Sequence, residues 1–154
     1  MSKKILVPVD GSKPSLNAVK EAILLAKALD YEIVVSSVVI PYDLTKMIDS
    51  VGSKAKPKYP GADDSPAGKE VTNSANYPIE AAKKVVKECD CDCVSYREII
   101  DYDPATRIIS QAKSLDAAMI IIGNRGLGAF ENLFLGSVSN KIAQYAKCPV
   151  LIVK

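Results

Sequence analysis

"AMIIIGNRGLGAFENLFLGSVSNKI", residues 118–142, joins a short apolar run to a helix-like pattern through a segment that holds four glycines. The apolar run is typical of a strand buried on both faces of a parallel sheet. Glycine weakens regular structure, so its repetition here indicates a backbone that turns sharply or approaches another group closely. In open α/β sheets, ligands bind at such strand-to-helix junctions, beyond the carboxyl ends of the strands.

Strand-like and helix-like segments alternate through the rest of the chain. Apolar and β-branched runs predict five strands, over 4–10, 32–40, 93–100, 117–122 and 149–154. Apolar residues at helical spacing predict four helices, over 14–29, 79–88, 103–115 and 137–146. The β-α-β-α-β-α-β-α-β order predicts an α/β protein with a doubly wound parallel sheet, flavodoxin-like or nucleotide-binding in type, and helices on both faces.

One segment departs from this alternation. Residues 41–77 carry four prolines and three glycines, with few apolar positions after Val51. We expect a single domain over 1–154 with a mobile insertion at 41–77, in which 43–51 has the pattern of a short helix. Since the insertion follows the second predicted strand, a lid over a ligand is one hypothesis for it. The other hypothesis is a solvated loop, which such a composition indicates more often.

Composition excludes several classes of protein. The net charge of +2 and the lack of a dense basic run argue against nucleic acid as a partner. No apolar stretch has the length of a membrane span and no signal-peptide pattern precedes the first strand, so we expect a cytoplasmic protein with no membrane partner. The chain has no histidine, which excludes Ser-His-Asp and Cys-His catalysis and most zinc enzymes.

The glycine segment has the chemistry of a phosphate site. Gly123 and Gly126 allow the backbone to approach a ligand, and Arg125 between them can pair with a phosphate. The helix predicted after them offers unpaired N–H groups and a partial positive charge at its start. Ser137 and Ser139, in its first turn, add hydroxyl donors.

The spacing of the glycines separates this segment from common phosphate loops. Neither G-x-x-x-x-G-K-[ST] nor G-x-G-x-x-G is present. The pattern that is present, G-x2-G-x9-G-[ST], resembles the ATP-binding motif of the universal stress protein family. "KKILVPVDGS" (3–12) is similar to the opening strand of that family with its Asp, and residues 123–154 are similar to its closing third, so the resemblance covers nearly the whole chain.

The resemblance implies a five-stranded parallel sheet of order 3-2-1-4-5, of the adenine nucleotide hydrolase-like type, that binds ATP or AMP. It implies no catalytic residue and no protein metal ligand; Mg²⁺ would bridge phosphate oxygens, because hard cations prefer oxygen. The residues that it implies for nucleotide binding are Pro8, Val9, Asp10, Val38 (with Val39 as the alternative), Ile122, Gly123, Asn124, Arg125, Gly126, Gly136, Ser137, Val138 and Ser139.

Three functions remain open at this point. The first is an ATP-binding protein of the universal stress type, a regulator or stress-survival factor with little or no turnover. The second is a slow ATPase or nucleotidyl-transfer enzyme of the adenine nucleotide hydrolase-like class, for which only Arg125 and Lys141 offer positive charge over the phosphates. The third is an interaction module without a ligand, which the intact glycine-serine motif argues against. Asp103, before the third predicted helix, adds a negative charge that we expect to weaken nucleotide binding slightly.

Three cysteines in "CDCDC" (89–93) suggest two interpretations. A metal site is the weaker one, because C-x-C-x-C is not the usual zinc spacing and no further ligand pair completes four. A helix-to-strand turn with reduced thiols is the stronger one, and we expect Cys148 to be a small buried apolar residue.

The last predicted strand suggests a homodimer. Residues 150–153 are all apolar, and the implied strand order places them at a sheet edge with unpaired backbone groups. The resemblance to the universal stress protein family implies that this strand pairs with the same strand of a second copy, antiparallel across a two-fold axis. We expect Leu151→Pro, as the loss of an edge donor, to shift the dimer toward monomer or aggregate.

Overall fold

Five strands and four helices alternate in the part of the chain that the computed structural model describes, residues 2–40, 77–127 and 134–154. The strands are β1 (Lys4–Pro8), β2 (Glu32–Val39), β3 (Val94–Ile100), β4 (Met119–Gly123) and β5 (Val150–Val153). The helices are α1 (Lys13–Leu29), α2 (Tyr77–Glu88), α3 (Pro104–Ser114) and α4 (Ser137–Tyr145).

All five strands run parallel in one sheet, in the order β3-β2-β1-β4-β5. The predicted fold class and strand order are therefore confirmed. The chain winds outward from β1 to β3 and then crosses back to β4 on the other side of β1. The order of the strands thus reverses between β1 and β4, and the crevice at their carboxyl ends is where an open sheet of this kind binds ligands.

Helices cover both faces of the sheet. Consecutive side chains of the central strands point to opposite sides, so both faces are apolar. Ile5 and Val7 of β1 pack with α1 and α2 on one face. Leu6, between them, packs with α3 and α4 on the other face. The central strands therefore have apolar residues at consecutive positions, as in Ile5–Val7, Ile33–Val35 and Ile120–Ile122, which explains their continuous apolar runs.

Local signals in the sequence set the ends of the helices. The Ser12 hydroxyl accepts a hydrogen bond from the Ser15 N–H at 3.4 Å and caps α1, with Pro14 in the first turn, where its missing N–H costs nothing. Asp30 ends α1 in the left-handed conformation, at φ 55°. The Asp103 carboxylate caps α3 in the same way as Ser12 caps α1, by accepting from the Thr106 N–H at 3.2 Å.

The free edge of β5 carries the backbone groups of Val150 and Ile152. The carbonyls of Pro149 and Val153 accept hydrogen bonds from the β4 side, at 2.9 and 2.6 Å. Because alternate residues of a strand direct their backbone groups to opposite sides, Leu151 also faces β4. The prediction that Leu151→Pro removes an edge donor is therefore wrong; the N–H that faces the edge is that of Ile152.

The five predicted strands and the four predicted helices outside the insertion are present, and their bounds shift by a few residues. The first strand ends at Pro8 rather than at residue 10, and α2 begins at Tyr77, inside the segment predicted as an insertion. The rest of that segment, with the predicted short helix at 43–51 and the lid hypothesis, lies outside the described residues. Among the helices that are described, none is long and apolar enough to cross a membrane.

Candidate functional site

The Asp10 carboxylate connects the end of β1 to the loop that follows β4. Its Oδ1 accepts a hydrogen bond from the Ser12 N–H at 3.0 Å, and its Oδ2 accepts one from the Leu127 N–H at 3.0 Å. The Ser12 hydroxyl adds a second link by donating to the Arg125 carbonyl at 3.4 Å. Asp10 therefore helps both to start α1 and to position the glycine segment, and both of its oxygens already have protein donors.

Asn124 fixes the other side of the same loop. Its N–H donates to the Val153 carbonyl at 2.6 Å, its carbonyl accepts from the Gly136 N–H at 2.7 Å, and its side-chain amide donates to the Phe134 carbonyl at 3.4 Å. The side chain is buried. These contacts hold residues 124–126 against the start of α4, so the two halves of the glycine motif are adjacent in space.

Two glycines of the motif are required by close approach of neighbouring groups. A Cβ on Gly123 would lie 2.7 Å from the backbone of Pro14 and Ser15, so β4 packs directly on the start of α1. A Cβ on Gly126 would collide with Oδ2 of Asp10. The glycine at 123 is thus needed for the packing of the fold, and the one at 126 for the approach of the Asp10 carboxylate.

The start of α4 presents unpaired backbone donors. Gly136 precedes the helix in an extended conformation and makes no side-chain cap. Among the described residues, no acceptor pairs with the N–H groups of Ser137, Val138 or Ser139, while the Asn140 N–H bonds back to the Gly136 carbonyl at 2.9 Å. A helix N-terminus with free N–H groups and its partial positive charge suits an anion.

The two serines of this first turn differ in their surroundings. Ser139 is buried and its hydroxyl donates to the Gly123 carbonyl at 2.8 Å, so it ties α4 to β4. The exposed Ser137 hydroxyl has no partner among the residues that the structure describes. Of the two hydroxyls predicted to donate to a phosphate, that of Ser139 is already used within the fold, and that of Ser137 stays a prediction.

The direction of the β2 backbone distinguishes Val38 from Val39. The Val39 carbonyl accepts from the Asp101 N–H at 3.1 Å, on the β3 side. The Ser36 carbonyl accepts from the Val9 N–H at 2.8 Å, on the β1 side. By alternation Val38 also directs its backbone groups toward β1, beyond the point where β1 ends. Its N–H and carbonyl therefore point toward the space beyond the end of β1, whereas those of Val39 point toward β3.

Three of the predicted residues are core side chains near the ends of β1 and β4. Pro8, Val9 and Ile122 are all buried. Val9 packs with the α1 and α2 side chains and Ile122 with those of α3 and α4, so they belong to opposite faces of the sheet. Their side chains contribute apolar packing rather than polar contacts.

Two features of the region were not predicted from the sequence. Gly11 has φ +86°, and a Cβ there would lie 2.8 Å from the ring of Tyr77, so the first residue of α2 packs over the turn after Asp10. The glycine directly after Asp10 was a usable signal for this turn, but its partner was not. The second feature is an ion pair of 2.6 Å between Lys141 of α4 and Asp103.

This ion pair changes the expected charge balance near the crevice. Hydrogen bonds from Lys141 and from the Thr106 hydroxyl and N–H hold the pKa of Asp103 well below its usual range. The negative charge predicted to weaken nucleotide binding is therefore matched by Lys141. The same pairing occupies Lys141, one of the two basic residues that offer positive charge over the phosphates.

A depression of about 220 Å³ lies elsewhere, between α2 and β3. Its lining includes Glu80, Lys83 and Glu98, and the Lys83–Glu80 pair at 2.8 Å is about half exposed on each side. Its lining has neither a helix N-terminus nor a glycine loop, so the crevice at β1 and β4 is the better candidate site.

Comparison with known proteins connects this geometry to a family. The family described as "Universal stress protein family" matches residues 1–154. Universal stress protein MJ0531 of Methanocaldococcus jannaschii is 34% identical over 152 residues, which cover 99% of this chain and 82% of that protein.

Solved structures share the fold at low identity. A universal stress protein in complex with cAMP has a TM-score of 0.65 and 21% identity, with 99% of this chain and 96% of that chain covered. The Archaeoglobus fulgidus universal stress protein in complex with dAMP has a TM-score of 0.64 and 16% identity, with 100% and 98% covered.

Proposed function

The chain belongs to the universal stress protein family, and from that premise we propose that it binds an adenine nucleotide, ATP or AMP with Mg²⁺, in the crevice between β1 and β4. The observation that carries the proposal is the N-terminus of α4. Its first three N–H groups are unpaired among the described residues and adjoin the 124–126 loop. The cAMP and dAMP complexes of related folds support the adenine nucleotide as the ligand class.

Each part of the nucleotide has a proposed partner. The phosphates accept from the N–H groups of Ser137, Val138 and Ser139 and from the Ser137 hydroxyl. The ribose lies beside Asp10 and the glycine loop. The adenine edge meets the backbone of Val38, whose polar groups extend beyond the end of β1.

The donor set fits Mg²⁺ only as a partner of the phosphates. Magnesium is usually held by substrate phosphates, water and one or two protein oxygens. Both oxygens of Asp10 accept N–H bonds, which leaves the Ser137 hydroxyl as the protein oxygen beside the phosphates. The ion would supply charge neutralisation there.

The proposed role is regulation or stress survival, with little or no turnover. Hydrolysis needs a base or a positioned cation over the phosphates. In the described residues Asp10 is committed to two backbone donors and Lys141 to Asp103. The alternative, a slow ATPase or nucleotidyl-transfer enzyme, would require Asp10 or Lys141 to change partner when the nucleotide binds, or Arg125 to supply the cation over the phosphates. We also propose a cytoplasmic homodimer, formed through β5.

A thermal-shift screen tests ligand binding directly. ATP, AMP, cAMP and dAMP are each added with and without Mg²⁺, and GTP serves as a base-specificity control. A ligand at about 100 times its Kd stabilises the native state by about 2.7 kcal/mol, which is a readily visible shift. Equal shifts with GTP, or no shift with any adenine nucleotide, would overturn the proposal. Phosphate release during the same incubation separates binding from turnover.

Ser137 and Ser139 provide a matched pair of variants for the phosphate site. Ser137→Ala should weaken nucleotide binding by about 1 kcal/mol, roughly fivefold in Kd, with little change in stability. Ser139→Ala should instead lower the free energy of unfolding by about 1–3 kcal/mol, because the buried Gly123 carbonyl loses its donor. Calorimetric titration and urea unfolding measure the two effects. If Ser137→Ala lowered only the stability and Ser139→Ala only the affinity, the phosphates would have to bind elsewhere.

A further inference from the structure

Two thiols lie side by side at the turn that connects α2 to β3. The Sγ atoms of Cys91 and Cys93 are 3.0 Å apart, and all four cysteines of the chain are free thiols. A disulfide needs about 2.05 Å between its sulfurs, so the pair needs to close by only about 1 Å. We propose that Cys91 and Cys93 form a redox-active dithiol, which a low-molecular-weight disulfide converts reversibly into an intramolecular disulfide.

The fold of the turn explains why the two side chains meet. Asp90, two residues after α2 ends at Glu88, takes a left-handed conformation, at φ 49°. The chain then extends into β3, and the Cys93 carbonyl accepts from the Ile33 N–H at 2.8 Å. Residues two apart in extended backbone share a side, so Cys91 and Cys93 face the same apolar cluster while Asp92 is exposed.

The described residues favour thiol chemistry over a metal. Tetrahedral zinc requires four ligands. In residues 2–40, 77–127 and 134–154, no group of three or more cysteine, aspartate or glutamate side chains is arranged to hold an ion. The structure thus offers a pair of sulfurs already in contact rather than a ligand set.

The exchange runs in two steps with all atoms accounted for. Cys93, the more exposed of the two, attacks the external disulfide as its thiolate; one small thiol leaves and a mixed disulfide forms on Cys93. Cys91 then attacks the Cys93 sulfur and expels the second small thiol. In sum, two protein thiols and one small disulfide give one protein disulfide and two small thiols.

The surroundings set the relative rates of the two steps. Burial raises the pKa of the Cys93 thiol to about 11, the Cys91 thiol adds to the rise, and the Lys27 ammonium opposes it. The first step is therefore slow at neutral pH, since only the thiolate attacks. The second step is intramolecular and between atoms in contact, so the mixed disulfide should not accumulate.

The site is independent of the proposed nucleotide crevice. The dithiol precedes β3, at the amino end of the sheet, whereas the crevice lies at the carboxyl ends of the strands. A failure of the nucleotide proposal would leave this inference standing, and the reverse is also true.

The test uses the full chain with Cys89→Ser and Cys148→Ser, which leaves only the two proposed thiols. The folded, reduced protein is incubated with glutathione disulfide, denatured in acid and alkylated, and its intact mass is measured. We expect both thiols to be lost to alkylation, with a mass lower by two hydrogens and no glutathione adduct. Reduction with dithiothreitol should restore both.

A further Cys91→Ser change in the same background provides the control. It should hold glutathione as a stable adduct on Cys93, because the resolving thiol is gone. Thermal melts of the reduced variants check that each one folds. The urea-unfolded two-cysteine protein shows under which conditions the thiols react with glutathione disulfide. The inference is overturned if, under those conditions, the folded two-cysteine protein keeps both thiols open to alkylation or accumulates glutathione adducts.

Discussion

Asp10 illustrates how one side chain can serve both the fold and a ligand. Its two oxygens accept N–H groups from Ser12 and Leu127, residues on opposite sides of the crevice. A carboxylate in this position orders the glycine loop before any ligand arrives. The same groups would lie beside the ribose in the proposed complex, so its structural and binding roles are coupled.

Asp10→Ala should therefore affect stability and affinity together. Hydrogen bonds to a charged acceptor contribute about 1.5–3 kcal/mol each, so we expect the free energy of unfolding to fall by roughly 2 kcal/mol or more. Asp10→Asn should lose less, because one oxygen can still accept. Urea unfolding and nucleotide titration of both variants measure this. A stable Asp10→Ala protein with unchanged affinity would show that the loop does not depend on the carboxylate.

The glycines of the motif should differ in what they tolerate. Gly123→Ala places a Cβ against backbone that cannot move away, so we expect overpacking to cost about 1–3 kcal/mol of stability. Gly126→Ala should mainly displace the Asp10 carboxylate and loosen the loop.

Gly136 belongs to the same motif and serves as the comparison for Gly123 and Gly126. A Cβ there would be 3.4 Å from the Arg125 Cα, an ordinary contact, so Gly136→Ala should fold like the wild type. Gly136→Val should fold as well but block the phosphates with its branched side chain. Melting temperature and Kd for the whole series separate these outcomes. Normal nucleotide affinity in Gly136→Val would contradict the proposed position of the phosphates.

At the scale of elements, one ion pair joins the start of α3 to the middle of α4. Asp103 caps α3 and pairs with Lys141 in α4, which links two helices on the same face of the sheet. The pair is about half exposed, so its energetic contribution is modest and sensitive to salt.

The pKa of Asp103 gives a pH dependence with a defined sign. Its pKa is lower in the folded protein than in the unfolded chain, so its stabilising effect is complete above the ordinary aspartate pKa of about 3.9 and is lost as the pH falls below it. We expect the wild type to melt higher than Asp103→Asn near neutral pH, with the gap closing in acid. A gap that is constant from neutral pH to strong acid would exclude this role for the carboxylate.

The elements were more predictable from the sequence than the contacts between them. Apolar runs and helical spacing are local, and they predict all nine described elements. The end of β1 was missed because Asp10 turns away to accept N–H groups, one of them from Leu127, 117 positions later. The Ser139–Gly123 bond and the Lys141–Asp103 pair also depend on tertiary packing. The glycine and serine spacing indicated the site, but it could not show which hydroxyl was already used.

At the scale of the whole molecule, the exposed edge of β5 is the basis for the proposed homodimer. Leu151 and Ile152 are 41% and 37% exposed, and Phe134 nearby is 78% exposed, with the Lys154 ammonium 5.2 Å from the centre of its ring. An apolar edge with unpaired backbone groups favours strand pairing with a second copy.

The backbone directions in β5 define the test of the dimer. Ile152→Pro removes an N–H that faces the free edge and leaves the bonds to β4, so it should shift a dimer toward monomer. Leu151→Pro breaks a β4-facing bond and should instead unfold this edge of the sheet, which makes it the comparison variant. Light scattering after size-exclusion chromatography gives the mass. A wild-type monomer at tens of micromolar would refute the dimer.

Synthesis from the amino terminus leaves β1 with one open side until late in translation. β1 pairs with β2 on one side, but its other neighbour is β4, whose Met119 lies opposite Ile5. While the ribosome has produced the chain only as far as β3, the backbone groups on that side of β1 have no strand to pair with, and Leu6 lacks its helix layer. Such an edge is a template for association between nascent chains. The strand at the centre of the finished sheet is therefore exposed on one side until β4 has been synthesised.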